Sequence, residues 1–187
     1  MSFPGIPSLD AVVMAFIQTH FHNTVTDTVF PIITSLGEAG IGWIVLSLVL
    51  LCFKKTRRTG GLVLIAMTVT LLFGELTLKN IICRLRPCNV FTNFPMLIAR
   101  PTSYSFPSGH TSSSFAAALI LTLRHKKVGW LAYIPAVLIA FSRIFLFVHY
   151  PTDVLAGILL GTLAALLTYF AAKSIQKRQA EKRTAQI

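Results

Sequence analysis

The chain has 187 residues, 54% of them hydrophobic and only 12% charged, with a net charge of +11. A soluble domain usually carries about 25% charged residues, so this composition and a mean hydropathy of +0.71 exclude an ordinary water-soluble globule. A spanning helix needs about 20 apolar residues. The length therefore predicts one membrane-embedded unit over 1–187, all-α, a bundle of about six transmembrane helices with no room for a soluble domain.

Leu9, Val12, Val13, Phe16 and Ile17 recur at helical spacing behind Pro7, Ser8 and Asp10. This segment, 8–20, either lies on the membrane as an amphipathic helix or begins a tilted span. His20, His22, Asn23 and Asp27 interrupt the pattern, and the first crossing is placed within 10–36. No basic region with a cleavage site precedes it, so this segment is expected to be retained. Gly37 to Gly42 is a turn-rich break, and Ile41 to Phe53 is the second apolar run, with Cys52 read as core. Lys54, Lys55, Arg57 and Arg58 end it. Gly60 to Leu78 is the third span, broken only by Glu75, and residues 83–108 form a polar, proline-containing loop. Thr111 to Leu123 is the fourth span and ends at Arg124, His125, Lys126 and Lys127. Val128 to Val148 is the fifth, Thr152 to Ala172 the sixth, and a basic tail fills 173–187.

The basic clusters at 54–58, 124–127 and 173–183 follow even-numbered spans, so all fall on one side. The excess of Lys and Arg makes that side the cytoplasm and places both termini there. This patterning, in short clusters between apolar runs, speaks against a nucleic-acid surface. Three charge-bearing stretches then converge on the opposite, extracytoplasmic face. They are Lys79 to Pro87, Pro107 to His110, and Ser142 to Asp153. Ionisable groups at membrane helix ends are costly and mark function.

Each stretch has a chemistry. His149 and Asp153 are four residues apart and would share a helix face, with Pro151 in the first turn. A carboxylate on one ring nitrogen leaves the other free as a nucleophile. Ser108 is a helix N-cap and Gly109 lets an anion approach the backbone, where helix-start N–H groups bind phosphate. His110 beside them can protonate a leaving oxygen. Lys79, Arg86 and Arg143 add positive charge, and Pro87 is read as the end of its helix. Together they would cage a phosphoryl group without a metal.

Lys79-x6-Arg86-Pro87, Pro107-Ser108-Gly109-His110 and Ser142-Arg143-x5-His149-x3-Asp153 resemble, position for position, the three-part signature of the type 2 phosphatidic acid phosphatases, a family of membrane lipid phosphatases. The resemblance spans about 79–153. It implies a six-helix fold, a phosphohistidine on His149 supported by Asp153, and His110 as general acid. It also implies that Lys79, Arg86, Ser108, Gly109 and Arg143 hold the phosphate, with no metal or other cofactor. Bacterial members of this size include undecaprenyl diphosphate and phosphatidylglycerophosphate phosphatases. Those two lipids are the leading substrates, and phosphatidic acid or another lipid monophosphate is the alternative.

Plainer readings are kept for other residues. His20, His22 and His125 read as satisfied interface histidines, and Glu75 as a helix salt bridge to Lys79. Arg84 and Arg100 read as headgroup or loop contacts, and Tyr104 and Phe106 as interface aromatics. Cys83 and Cys88 read as free thiols, with a disulfide open to them in an oxidising space. A transporter with an anion site, a haem- or metal-binding membrane protein, and a haloperoxidase are the competing classes. The transporter fares worse because the charges cluster at one face, the metal protein because His110 and His149 have cationic neighbours, and the haloperoxidase because such enzymes are typically soluble. The sequence is silent on oligomeric state.

Overall fold

A computed structural model of the protein describes residues 3–184; the last three residues of the basic tail lie outside the described part. All regular structure among the described residues is helical. The elements are α1 Ser8–His20, α2 Thr24–Leu36, α3 Ile41–Cys52 and α4 Arg57–Thr70, then a π-helical segment Leu71–Leu78 running into α5 Lys79–Ile82. After the short α6 Pro87–Val90 come α7 Gly109–Arg124, α8 Tyr133–Phe145 and α9 Pro151–Thr184.

The long C-terminal helix shows why the sequence folds as it does. In α9, Val154, Gly157, Gly161, Ala164, Ala165 and Thr168 are buried. Leu155, Leu159, Leu163, Leu167 and Phe170 are exposed. Small residues inward and large apolar ones outward reverse the pattern of a soluble protein, and it is the arrangement that lets membrane helices approach closely. A Cβ on Gly161 would fall on the Ser112 carbonyl and lie 3.0 Å from the Ala116 nitrogen of α7. α9 and the run Arg57–Val90, whose long helical part ends at Ile82, are apolar enough to cross a membrane, with hydropathies of 2.1 and 2.0. α2 and the helix after it form a third candidate, bent by 44° near Gly37. Six separate spans, as the sequence suggested, are therefore not what the helix lengths give.

The bundle has two distinct ends. At one, Thr59 and His125 meet at 3.0 Å, which gathers the basic clusters around 54–58 and 124–127. At the other lie the starts of α7 and α9 and the end of α8. α1 lies across this second end. The Asp10 carboxylate accepts from the Thr152 backbone N–H at 2.9 Å. Eight residues on, Gln18 donates to the carbonyls of Ile144 and Phe145 at 3.3 and 3.0 Å. Both ends of α1 thus touch the same end of the bundle, and Phe3 packs on Phe91 and Phe147 there. The expectation that the N-terminal segment lies with the basic clusters is corrected: tertiary hydrogen bonds of Asp10 and Gln18, which no charge count registers, hold it at the far end.

Two smaller corrections follow. Cys52 is exposed on the outside of α3, where an apolar thiol suits lipid as well as core. Pro87 opens α6, whereas the preceding helix already stops at Ile82, because Cys83 takes a left-handed conformation.

Gly161→Val should overpack the α7–α9 contact and cost about 1–3 kcal/mol, read as a lowered melting temperature in detergent. An unchanged melting temperature would mean that the two helices do not meet there.

Candidate active site

The π-helical segment and α5 deliver Lys79, whose ammonium lies 2.7 Å from both Glu75 oxygens. The predicted salt bridge is present, on a segment wound wider than an α-helix, a distortion often found at functional sites. Arg86 reaches back from the loop. Its Nε donates to the Ser103 carbonyl at 2.7 Å and its Nη2 to the Ser103 hydroxyl at 3.0 Å. Its Nη1 donates to the Val148 carbonyl and to His149 Nε2, both at 2.9 Å.

That last contact fixes the imidazole. A guanidinium only donates, so Nε2 carries the lone pair and the proton sits on Nδ1. Nδ1 lies 3.4 Å from Asp153 Oδ2. Asp153 Oδ2 also accepts from the Tyr150 backbone N–H at 2.9 Å and from the Ser105 hydroxyl. Burial first, and then the charges of Arg86, Arg143 and Lys79, push the imidazole well below its usual pKa, so it is neutral. His149 itself stands in the connection before α9 and not on the helix. The shared-face argument gave the right neighbours for a different reason: a turn at 146–150, with Phe147 at φ +60°, folds the histidine over the first turn of α9.

Ser108 is the N-cap of α7, as its sequence predicts, and its hydroxyl accepts from Thr111 N–H at 3.4 Å. Its own N–H donates to the Asp153 carbonyl at 3.1 Å, tying the second stretch to the third. Gly109 is pressed against Glu75, and a Cβ there would collide with its carboxylate. His110 Nε2 faces Glu38 at 3.9 Å. Arg143 points the same way from α8, donating to the Thr34 hydroxyl. His110 Nε2 and Arg143 Nε are buried atoms with no hydrogen-bond partner among the described residues.

One cavity of about 1050 Å³ collects Lys79, Arg86, Gly109, His110, Arg143 and His149. Lys79, Arg86 and Arg143 are only 5%, 4% and 3% exposed. Three buried cations, with Glu75 paired to one of them and the exposed Glu38 at the edge, make a positive pocket, and an anion entering it would complete hydrogen bonds now unmade. Away from the charges the cavity continues along Ile44, Leu64, Met67 and Leu71, an apolar path between the bent α2–α3 pair and α4.

The other residues sort themselves out. His20, His22 and His125 bond Phe16, Asp27 and Thr59 at 2.9, 2.7 and 3.0 Å. Arg100 binds the carbonyls of Cys88, Thr92 and Phe94, as a loop contact. Cys83 and Cys88 are free, the first exposed and the second buried. Arg84 departs from expectation: it lies between the Asp10 and Asp153 carboxylates, at 2.7 and 2.6 Å, and not at headgroups. Ser103, Ser105 and Thr34 were missed because single hydroxyls carry no spacing signal. A lone Asp10 opening an apolar helix was the one readable hint of a buried partner.

Comparison with known proteins gives the family and the fold. Residues 59–176 match the PAP2 superfamily, and the chain belongs to it. It is 39% identical over 127 residues to an undecaprenyl-diphosphatase of Sulfolobus acidocaldarius, covering 67% of this chain and 61% of that protein. It thus spans less than two thirds of that relative. It is 33% identical over 148 residues to the bacitracin transport permease protein BcrC of Bacillus licheniformis, covering 78% and 72%. The crystal structure of a transmembrane PAP2-type phosphatidylglycerolphosphate phosphatase from Bacillus subtilis superposes with a TM-score of 0.73 at 28% identity, covering 92% of this chain and 89% of that one. The fold is that of a membrane phosphatase of this superfamily.

Orthovanadate, a phosphate mimic, should bind the purified protein, and Arg143→Ala should weaken binding at least tenfold, or about 1.4 kcal/mol. Equal affinity for both proteins in titration calorimetry would remove Arg143 from the anion site.

Proposed function

We propose that the protein hydrolyses a lipid phosphate or diphosphate through a phosphohistidine on His149. The observation that carries this is the orientation of one neutral imidazole: Nδ1 toward Asp153, and Nε2 toward Arg86 and a cavity lined by three cations. Nε2 attacks phosphorus as the bond to the leaving oxygen breaks. Lys79, Arg86, Arg143 and the N–H groups behind Ser108 and Gly109 hold the phosphoryl oxygens. His110 gives a proton to an alkoxide leaving group. It then takes one from the water that attacks the phosphohistidine, which frees inorganic phosphate and restores Nε2. These cations supply the charge stabilisation that a metal supplies elsewhere, so the reaction needs none.

The apolar path beside Met67 supports an amphiphilic substrate, its phosphate among the cations and its chain between α2–α3 and α4. An undecaprenyl-type diphosphate is the favoured lipid, supported by the name of the Sulfolobus relative. Phosphatidylglycerophosphate is next, and phosphatidic acid follows. The permease name of the Bacillus licheniformis relative favours a second reading, an anion transporter, which would bind these lipids without turnover.

We further place the site at the extracytoplasmic face, opposite the basic clusters. The runs 24–52, 57–82, 109–124, 129–145 and 151–172 then make five crossings, with α1 on the outer surface and the whole chain acting as one membrane-embedded unit.

Purified protein in detergent with a chelator should release phosphate from these lipids, and His149→Ala should lower the rate on the order of 10³-fold or more. His110→Ala should slow monophosphate lipids more than a diphosphate, whose leaving group needs no proton. Turnover retained in His149→Ala would exclude the nucleophile, and binding with no turnover in wild type would favour the transporter. For sidedness, the exposed Thr19 of α1 replaced by Cys, with the three native cysteines changed to Ser, should react with an impermeant maleimide on intact cells. Reaction only after lysis would put α1 in the cytoplasm.

A further inference from the structure

Behind His149 lies a cluster of charges that the reaction above leaves unused. Asp10 and Asp153 are both 0% exposed. The Arg84 guanidinium bridges them, donating from Nη2 to Asp10 Oδ2 at 2.7 Å and from Nη1 to Asp153 Oδ1 at 2.6 Å. Thr152 closes the ring. Its hydroxyl accepts from Arg84 at 2.7 Å and donates to Asp10 Oδ2 at 2.8 Å, while its backbone N–H donates to Asp10 Oδ1 at 2.9 Å. The guanidinium also stacks on Tyr150, 3.8 Å above the ring centroid. Arg84 therefore has three of its five donors committed to carboxylates and a hydroxyl, and a π face beneath it.

The division of labour on Asp153 is telling. Oδ2 takes the His149 side, with Ser105 and the Tyr150 N–H. Oδ1 takes Arg84. A fully buried carboxylate needs a cation to stay ionised and a fixed geometry to hold a tautomer. His149 supplies no positive charge when neutral, so Arg84 is the cation in direct contact with Asp153. Asp10 in turn holds Arg84 from the opposite side, and α1 carries it there.

We propose that Arg84 and Asp10 are positioning residues that hold the far side of Asp153 and keep its Oδ2 aimed at His149 Nδ1, making the N-terminal helix part of the active site. Neither residue touches the phosphate cavity. Their effect falls on the reactivity of His149 and leaves the cations that bind the anion alone. Removing Arg84 strands two buried carboxylates beside each other, so the loss is largest there and is partly relieved when Asp10 is also neutralised.

The inference rests on the phosphohistidine reading, and the test separates the two. In detergent, below the melting temperature of each variant, Arg84→Met should lower kcat at least 100-fold while KM and the vanadate dissociation constant stay within about threefold. Arg84→Lys should recover at least tenfold of that loss, and Asp10→Asn/Arg84→Met should turn over several-fold faster than Arg84→Met. Should Arg84→Met not fold, Asp10→Asn alone should lower kcat three- to tenfold at unchanged vanadate affinity. If Arg84→Met, or Asp10→Asn in its place, keeps wild-type kcat, or if kcat and vanadate affinity fall together, or the double variant is slower than Arg84→Met, the pair only clamps α1 and the inference is overturned. Turnover that survives His149→Ala would instead overturn the underlying reading and leave no role for Asp153 to be positioned in.

Discussion

Three cations buried in one cavity set the terms for the whole molecule. Lys79, Arg86 and Arg143 come from different segments, and each has lost most of its water. Like charges brought together out of water cost several kcal/mol per ion unless they are paired. The protein meets part of that cost with Glu75 on Lys79, the Ser103 and Val148 acceptors on Arg86, and Thr34 on Arg143. The remainder is left open toward the cavity, where the proposed phosphoryl group would meet it. A site preorganised in this way needs little rearrangement as charge builds in the transition state.

A cage of this kind has to be held rigidly, and the apolar bundle does so with small residues. Gly157 and Gly161 let α9 press on the first turns of α7, which fixes Ser108, Gly109 and His110 against the turn that carries His149. The wide π-helical turns set Glu75 over Gly109, where it also pairs with Lys79. The bend near Gly37 brings Thr34 and Glu38 to the cavity while keeping an apolar opening beside α4. The features that look like defects in regular helices are those that shape the site.

Much of this was legible in the chain. The all-helical class, the cap at Ser108 and the convergence of the three charged stretches follow from periodicity, cap chemistry and the alternation of basic clusters. The salt bridge of Glu75 and the paired His20 and His125 were also readable, since each depends on neighbours near in sequence or on a bland default, whereas His22 bonds Asp27 through Nδ1 and leaves its Nε2 buried without a hydrogen-bond partner among the described residues. What was hidden depends on contacts distant in sequence. Asp10 and Arg84 are 74 residues apart, and nothing local says they meet. The same blindness led the charge pattern to place the N-terminal segment at the wrong end, and led a helix rule to put His149 on α9. Six separate spans do not emerge from the helix lengths, and α1, held across the helix ends by Asp10 and Gln18, is an element whose placement periodicity does not register.

The central claim is that one nitrogen, Nε2 of His149, takes the phosphoryl group. It is tested most directly by rapid base quench of the protein turning over a ³²P-labelled lipid diphosphate, followed by peptide mapping. The account predicts an acid-labile, base-stable label on the peptide containing His149, with phosphorus on Nε2. Label on Ser108 or His110, or burst-free turnover with no labelled peptide at any quench time, would contradict it.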